Sequence, residues 1–427
     1  MKKKSYIILG ALIILGIIGY IAYDRYDYTR VVAPNKLSKK DKVEDFNQLY
    51  TTIVEGYPFL EVNKRMNGVD FAAKKEEYLK KIKRANTDSR FESELHSIVK
   101  DLNNGHSEIL TRDGISTYQS AYAYIEPVKS IYKDLFYNDK VIERYGKVPP
   151  REKLQAMEDS EESELVTKDV INNKVAYMYI PSMLGSEVTI NKDMKVIEEY
   201  ISTRGNYDSL IIDIRGNGGG STSYWLPMLS MLTNKPLQVK QYGLFRANNP
   251  VVKEYAFGRV KPELFYSDVT KASELRVITS LPSDSMKNIP SEAKSIFSHY
   301  FELITNISPK GNSGFKGKVY LLVDKEVYSS AEAFAVFCKE SGYATIVGEK
   351  TGGDGIGIDP LLFNLKNSGI VVRMPSDMGL SESGVCNEEF KTTPDIEVKD
   401  CTRTRDYETD KSIQRVLELE KINNGKN

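Results

Sequence analysis

A serine stands at the point where a strand-like run gives way to a helix-like run, at position 329. Residues 319–323 are typical of a buried strand, and residues 331–338 are typical of a helix that stops at Gly342. A serine at such a turn lies near the first free N–H groups of the helix. These donors, aided by the helix dipole, can stabilise a developing oxyanion. The position therefore suits a nucleophilic Ser329.

The same residues also fit a purely structural interpretation. Ser329 and Glu332 form an S-x-x-E pattern, which is typical of a helix capping box. Caps far outnumber nucleophiles in proteins, so this stretch by itself favours a cap. Features elsewhere in the chain shift the balance towards a nucleophile.

Composition excludes several classes of protein and cofactor. The 427 residues are 41% hydrophobic and 28% charged, with 59 Lys+Arg and 59 Asp+Glu, so no net field favours a nucleic-acid partner. The three cysteines show no metal-ligand spacing, and no phosphate-binding G-x-x-x-x-G-K motif occurs, so no metal and no organic cofactor is expected. A disulfide between Cys386 and Cys401 stays an open possibility in an exported protein.

The N-terminus predicts attachment to a membrane. Three lysines, residues 2–4, precede an uncharged stretch over residues 6–23, about the minimum length that crosses a bilayer. Lysines before the helix favour a cytoplasmic N-terminus. The expectation is a signal anchor over 1–23 in the cell membrane, single-pass, with the rest of the chain extracytoplasmic. A cleaved signal peptide, which would give a secreted protein, is the alternative.

Hydrophobic periodicity divides the remainder of the chain. Residues 171–402 alternate between strand and helix patterns, which predicts a layered α/β core, interrupted by an insertion of lower periodicity over 235–315. The other parts are a polar tether over 24–37, a helical subdomain over 38–108, a connecting region of strands or short helices over 109–170, and a C-terminal helix and tail over 403–427.

Four motifs follow one another at the element boundaries of this core. They are D-x-R-x-N-x-G-G from 213, S-x-x-E from 329, V-G-E-x-T-x-G from 347 and P-D-I-E-V from 394. With these motifs the chain resembles the S41 family of serine peptidases, which includes the C-terminal processing proteases and the tricorn core protease. The resemblance implies an α/β fold with a ClpP/crotonase-like β/α spiral core, and polypeptide or peptide substrates. Nothing between Ile109 and Val170 resembles the Gly-rich loop of a PDZ domain.

The resemblance also suggests which residue is the base. Processing proteases carry a lysine 25 residues after the serine, in a Gly-Lys-Gly turn, and this chain has Asp354 there. The tricorn-like branch instead uses a histidine at the end of the helical region, which the L-N-N-G-H-S sequence around His106 resembles. His106 is therefore the expected base, and Asp354 is expected to take no part in proton transfer.

The remaining site residues are also implied by the resemblance. Ser329 would attack the peptide carbonyl, with His106 as base and then acid. The N–H groups of Ser330 and of one glycine in the stretch 218–220, expected to be Gly219, would form the oxyanion hole. A late glutamate, Glu388 or Glu389, would complete the relay.

Three other residues are expected to support the structure. Asp213 and Arg215 should form a buried pair that fixes the glycine turn, and Glu332 should cap its helix. The expected function is a membrane-anchored extracytoplasmic serine peptidase with a Ser-His(-Glu) site. The alternative is a catalytically inactive S41-fold protein that binds peptides or other ligands, because fold alone does not establish activity.

Overall fold

A computed structural model describes residues 37–124, 128–153, 156, 162–261, 269–310 and 314–421. The predicted membrane segment, 6–23, lies outside these residues. Within the part of the chain that is described, no helix combines the length and apolar character needed to span a bilayer.

The first described part is helical, and two of its helices begin with polar side-chain caps. Ser38 Oγ accepts a hydrogen bond from the Asp41 N–H at 3.1 Å, and the Asp41 carboxylate accepts one from the Ser38 N–H at 2.9 Å, which is a complete capping box. Thr87 Oγ1 caps a later helix by accepting a hydrogen bond from the Arg90 N–H at 3.1 Å. The helices are Lys39–Gly56 (α1), Leu60–Asn67 (α2), Lys75–Arg84 (α3) and Asp88–Lys100 (α4), with a 3₁₀ turn at Ala72–Lys74.

The connecting region is helical in its described part. A short strand, Glu108–Ile109 (β1), comes first, and no further strand begins before Val166 among the described residues. The helices are Arg112–Tyr122 (α5), Val128–Phe136 (α6) and Asp139–Tyr145 (α7).

Strands and helices then alternate to the end of the core. The strands are Val166–Ile171 (β2), Val175–Tyr179 (β3), Ser209–Asp213 (β4), Leu237–Phe245 (β5), Thr270–Ala272 (β6), Arg276–Val277 (β7), His299–Ile307 (β8), Lys318–Val323 (β9), Thr345–Gly348 (β10), Leu361–Asn364 (β11), Val371–Met374 (β12), Asp377–Ser381 (β13) and Ile396–Glu397 (β14). The helices are Glu187–Ser202 (α8), Thr222–Leu232 (α9), Pro250–Arg259 (α10), Ala293–Ile296 (α11), Ser329–Ser341 (α12), Asn387–Phe390 (α13) and Lys411–Leu419 (α14), with 3₁₀ turns at Ile278–Ser280 and Ser283–Ser285.

The central sheet has six strands in the order β14-β10-β9-β4-β3-β2, and only the β2–β3 pair is antiparallel. Alternate side chains of its strands point to opposite faces. Leu210 and Leu321 pack towards α8, α9 and α12, whereas Ile211 and Tyr320 pack towards α14. Covering both faces explains why β4 and β9 are continuous apolar runs.

The stretch 235–315 differs from the expected insertion of low periodicity. It supplies β5 and β8, which pair over nine residues each and join β13 in an antiparallel sheet of order β13-β5-β8-β6, with β7 also paired to β8. The partners are far apart in the sequence, so no local pattern marks the sheet.

A third, small sheet attaches the helical part to the core. Its order is β1-β12-β11, with Ile109 opposite Val372. The chain thus has a mixed α/β fold. All three cysteines are buried and unpaired, so Cys386 and Cys401 form no disulfide.

Candidate active site

Ser329 lies at a strained turn between β9 and α12. It is the first residue of α12, and its φ of +56° is rare for any residue except glycine. Two neighbouring segments hold this turn. The Ser329 N–H donates to the Gly353 C=O at 3.4 Å, and the Tyr328 N–H donates to the Asn217 C=O at 3.2 Å. Such backbone strain, about 1–3 kcal/mol, persists where surrounding structure fixes it and is frequent at functional sites.

The S-x-x-E pattern does not form a capping box. The residue at the N-cap is Tyr328, and no side chain caps the helix. Glu332 is fully buried, and its Oε1 accepts hydrogen bonds from Asn387 Nδ2 and Thr392 Oγ1, both at 2.7 Å. The expected capping role of Glu332 is therefore wrong. Because Ser329 is already inside the helix, Glu332 faces the core and fixes the loop 387–392 instead.

The burial of Glu332 predicts a pH-dependent stability. Burial raises the pKa of Glu332 to about 7, from 4.5. The folded state therefore favours the protonated carboxyl, and its stabilising effect is full below pH 4.5 and is lost as the pH rises through 7. Between pH 4.5 and 7 we expect the free energy of unfolding of the wild type to fall by about 2–3 kcal/mol more than that of Glu332→Gln, because the glutamine cannot ionise.

Urea unfolding at a series of pH values measures this difference. The variant Glu326→Gln, at an exposed position six residues before Glu332, is the control and should keep the wild-type pH dependence. Equal pH slopes in the wild type and Glu332→Gln would refute the assignment.

His106 is oriented by a carboxylate. Its Nδ1 lies 2.8 Å from Asp354 Oδ2, and its backbone N–H donates to Asn104 Oδ1 at 2.9 Å. Its ring packs on that of Tyr328, with the ring centroids 4.7 Å apart. A neutral imidazole facing a carboxylate carries its proton on Nδ1. The Nε2 atom is then the acceptor, as a general base requires.

Asp354 accepts three hydrogen bonds on one oxygen. In addition to His106, Asn104 Nδ2 at 2.8 Å and the Tyr328 hydroxyl at 3.2 Å donate to Oδ2. Burial opposes ionisation of Asp354, but the nearby His106 and these hydrogen bonds outweigh it, so its pKa is lowered. The sequence led us to expect no part for Asp354 in proton transfer, and this geometry adds a contact with His106 that the sequence did not predict. With a lowered pKa and its Oδ2 engaged by three donors, Asp354 is a weak base, but it can orient and charge-stabilise the histidine.

The two late glutamates lie elsewhere. Glu388 Oε1 accepts a hydrogen bond from Asn104 Nδ2 at 3.0 Å, and burial together with Asp354 raises the pKa of Glu388 to about 9. Glu389 forms a two-point ion pair with Arg65 at 2.8 and 2.6 Å. Within the described residues no hydrogen bond joins either glutamate to His106, so the structure does not give them the predicted contact. Glu388 reaches the network only through Asn104, which the sequence motifs did not single out.

Gly219 has a different role from the expected one. Its N–H donates to Asn217 Oδ1 at 2.8 Å and is therefore already engaged. Its φ is +107°, and a Cβ at this position would lie 2.7 Å from the Cβ of Ser329. Glycine is required here for the close approach of two backbone segments. The expected use of the Gly219 N–H in an oxyanion hole disagrees with this geometry.

The next residue offers a free donor. Gly220 bridges Met183 in parallel fashion, with the Met183 N–H bound to the Gly219 C=O and the Ser221 N–H bound to the Met183 C=O. In such a bridge the N–H of the central residue points away from its partner. Gly220 lines the same cavity as Ser329 and Ser330, and within the described residues neither the Gly220 nor the Ser330 N–H has a protein acceptor.

Asp213 and Arg215 form the buried pair that the sequence predicts, and Asp410 joins it. Arg215 Nη2 lies 2.6 Å from Asp213 Oδ2 and 2.9 Å from Asp410 Oδ2, and all three side chains are fully buried. Arg215 Nη1 also donates to the Cys401 C=O at 2.7 Å. The network ties the end of β4, where the glycine turn begins, to the start of α14.

A cavity of about 100 Å³ brings the predicted nucleophile and base together. Ser329, Ser330, Gly220, His106 and Asp354 line it. Within the described part of the chain no hydrogen bond joins the Ser329 hydroxyl to His106, and such catalytic contacts often tighten only when substrate binds. Among all residues that the structure describes, no cluster of His, Cys, Asp and Glu is suited to a metal ion.

Comparison with known proteins identifies a matching family and structures of similar fold. Residues 174–398 match the model of peptidase family S41. The structure of mature CPAF complexed with lactacystin is similar to this chain, with a TM-score of 0.54 at 15% identity. The match covers 90% of this chain and 98% of that chain. A structure from Parabacteroides merdae ATCC 43184, provisionally called a peptidase, has a TM-score of 0.54 at 16% identity. That match covers 88% of this chain and 96% of the other chain. At these identities the likeness concerns the fold alone.

Curated relatives are larger than this chain. A protein of Chlamydia trachomatis serovar D is 25% identical over 222 residues, which are 48% of this chain and 36% of that protein. A protein of Chlamydia pneumoniae is 21% identical over 205 residues, 45% of this chain and 33% of that protein. The chain thus spans about a third of the length of these relatives. Because the family match covers more than half of its residues, the chain belongs to peptidase family S41.

Proposed function

We propose that the protein is a serine peptidase in which Ser329 is the nucleophile, His106 the general base and Asp354 the residue that orients His106. The observation that carries the proposal is the 2.8 Å contact between His106 Nδ1 and Asp354 Oδ2, in the cavity that the strained Ser329 also lines. Family membership supports the same chemistry.

The proposed reaction uses each of these groups in turn. Ser329 Oγ forms a bond to the carbonyl carbon of a peptide while His106 Nε2 takes its proton. The N–H groups of Ser330 and Gly220 stabilise the oxyanion. The C–N bond then breaks as His106 returns the proton to the leaving amine. Water hydrolyses the acyl-enzyme by the reverse sequence of proton transfers, and ionised Asp354 stabilises the imidazolium throughout.

We extend the proposal to the location of the protein. The uncharged segment 6–23 after three lysines supports a single membrane anchor with the peptidase domain extracytoplasmic. Polypeptides or peptides outside the cytoplasm are then the substrates.

A fluorophosphonate probe tests the nucleophile directly. We expect the probe to label the wild type at Ser329, and Ser329→Ala to abolish both labelling and peptide cleavage. His106→Ala should lower kcat by about 10⁶-fold, since removing either member of a Ser-His pair disables the whole unit.

Ser330→Ala is the matched control for this test. Its hydroxyl contacts the Met183 sulfur at 3.7 Å, and the substitution keeps the backbone N–H proposed for the oxyanion hole. We expect labelling and cleavage to persist in this variant. Full activity in Ser329→Ala would refute the proposal.

A catalytically silent, ligand-binding protein is the second candidate. The missing hydrogen bond between Ser329 and His106, in the described part of the chain, is the observation that favours it. Failure of the folded wild type to react with the probe or to cleave any member of a peptide library would establish this alternative.

A further inference from the structure

One asparagine side chain contacts both members of the histidine–aspartate pair. Asn104 Oδ1 accepts a hydrogen bond from the backbone N–H of His106 at 2.9 Å, and Asn104 Nδ2 donates to Asp354 Oδ2 at 2.8 Å. This carboxylate oxygen is the one that lies 2.8 Å from His106 Nδ1. The same side chain therefore contacts the backbone of the histidine and the carboxylate that faces its ring.

The contacts of the Asn104 amide allow a single orientation. Its Nδ2 has two N–H groups, and in addition to Asp354 it lies 3.0 Å from Glu388 Oε1. Its Oδ1 also accepts a hydrogen bond from Ser107 Oγ at 3.1 Å. An amide turned by half a rotation would place its oxygen against the Asp354 carboxylate and its N–H groups against the His106 N–H. The donor of Asn104 is thus directed at Asp354.

The two ends of this amide make contacts of different kinds. The oxygen closes a local turn onto the N–H two residues later, a contact that asparagine and aspartate both make. The nitrogen contacts a residue 250 positions away, and only a donor can bind a carboxylate there. Without it, Asp354 Oδ2 keeps His106 and, among the described residues, only the more distant Tyr328 hydroxyl at 3.2 Å.

We propose that Asn104 is a positioning residue, which holds Asp354 Oδ2 in line with His106 Nδ1 through its Nδ2 donor. The inference rests on the proposed peptidase function, in which this contact keeps a proton on Nδ1 and leaves Nε2 free to accept the proton of Ser329. A hydrogen bond to an ionised acceptor is stronger than a neutral one, which suits this role. Asn104 is not among the described residues that line the catalytic cavity, so it acts through Asp354.

Proton NMR of the full-length protein tests the inference without relying on cleavage. A histidine N–H that is hydrogen-bonded to a buried carboxylate resonates far downfield of the backbone amides, and its absence in His106→Ala assigns the signal. We expect the signal in the wild type, and its loss or a clear upfield shift in Asn104→Ala. Asn104→Asp should have the same effect, because aspartate keeps the acceptor for the His106 N–H but has no donor for Asp354.

Ser107→Ala is the matched control, because Ser107 binds the oxygen of the same amide and leaves its Nδ2 contacts in place. It should keep the downfield signal. Circular dichroism shows which variants are folded, and if Asn104→Ala does not fold, Asn104→Asp decides by itself. The inference would be overturned by a wild type without the signal, by an unchanged signal in both folded Asn104 variants, or by a signal that Asn104→Asp retains.

Steady-state kinetics show whether Asn104 acts through Asp354. We expect Asn104→Ala to lower kcat by roughly 10–100-fold, as loss of a hydrogen bond to a charged group does, with KM changed little. In an Asp354→Asn background the same substitution should cost at most about threefold more, because the group that it positions is already gone. Losses that multiply would mean that Asn104 supports its loop independently, and the inference would fall.

The two measurements separate this inference from the peptidase proposal. A wild type that shows the downfield signal but cleaves no peptide would remove the peptidase proposal, and the NMR comparison would still decide whether Asn104 holds Asp354 against His106. A wild type that cleaves peptides, with the signal unchanged in the Asn104 variants, would leave the peptidase standing and remove only the role of Asn104.

Discussion

Asp354→Asn is expected to lower kcat by about 10³–10⁴-fold with little change in KM. The amide can present an N–H where the carboxylate now accepts the proton of His106 Nδ1, which favours the wrong tautomer of the imidazole. It also removes the charge that stabilises the imidazolium in the transition state. An interaction made only in the transition state affects kcat rather than substrate binding.

Steady-state kinetics with a peptide substrate measures this effect. Glu389→Gln provides the control, because the glutamate that the sequence suggested for the relay is paired with Arg65 instead. Its kcat should stay within a few-fold of the wild type. A folded Asp354→Asn protein with wild-type kcat would contradict the role of Asp354, and a collapse of activity in Glu389→Gln alone would restore the glutamate.

Arg215→Leu is expected to reduce the free energy of unfolding by about 3–5 kcal/mol. The substitution leaves Asp410 without its arginine and Asp213 with only the more distant Arg403, whose Nε lies 3.8 Å from Asp213 Oδ2. Stranded buried charges of this kind are strongly destabilising. Since β4 leads into the glycine turn beside Ser329, activity should fall together with stability.

Denaturant unfolding of the two proteins gives the measured difference. The comparison variant Lys40→Ala removes a lysine of which 83% of the side chain is exposed and which pairs with Glu44. Exposed ion pairs contribute about 0–1 kcal/mol, so this change should be small. If Arg215→Leu were no more destabilising than Lys40→Ala, the buried network would not be a support of the fold.

The sequence indicates the central sheet well because its elements are local. Continuous apolar runs at β4 and β9 mark strands that are covered on both faces, and each is followed by a glycine or serine turn. The pairing of β5 with β13 joins residues far apart in the chain, and the polar segment between β5 and β8 dilutes the pattern. The sequence therefore carries no clear hydrophobic pattern that predicts this antiparallel sheet.

The candidate site shows the same division between local and distant information. Ser329 and His106 stand out because short motifs surround them, whereas the partner of His106 depends on a contact that spans most of the chain. Asp354 was expected to take no part in proton transfer because His106 was the expected base. Its carboxyl reaches Nδ1 because the turn 353–355 lies beside Tyr328, which pairs with Gly353 in an isolated bridge.

The third sheet has a consequence for newly made protein. Strand β1 follows His106 directly and pairs with β12, which lies beyond Ser329 and Asp354 in the chain. During translation His106 is synthesised long before β12, the strand that pairs with β1, and helical segments near the N-terminus fold first. Under the proposed mechanism, the protein can therefore cleave peptides only after synthesis has passed residue 374. A nascent chain cannot cleave itself or its neighbours before that point.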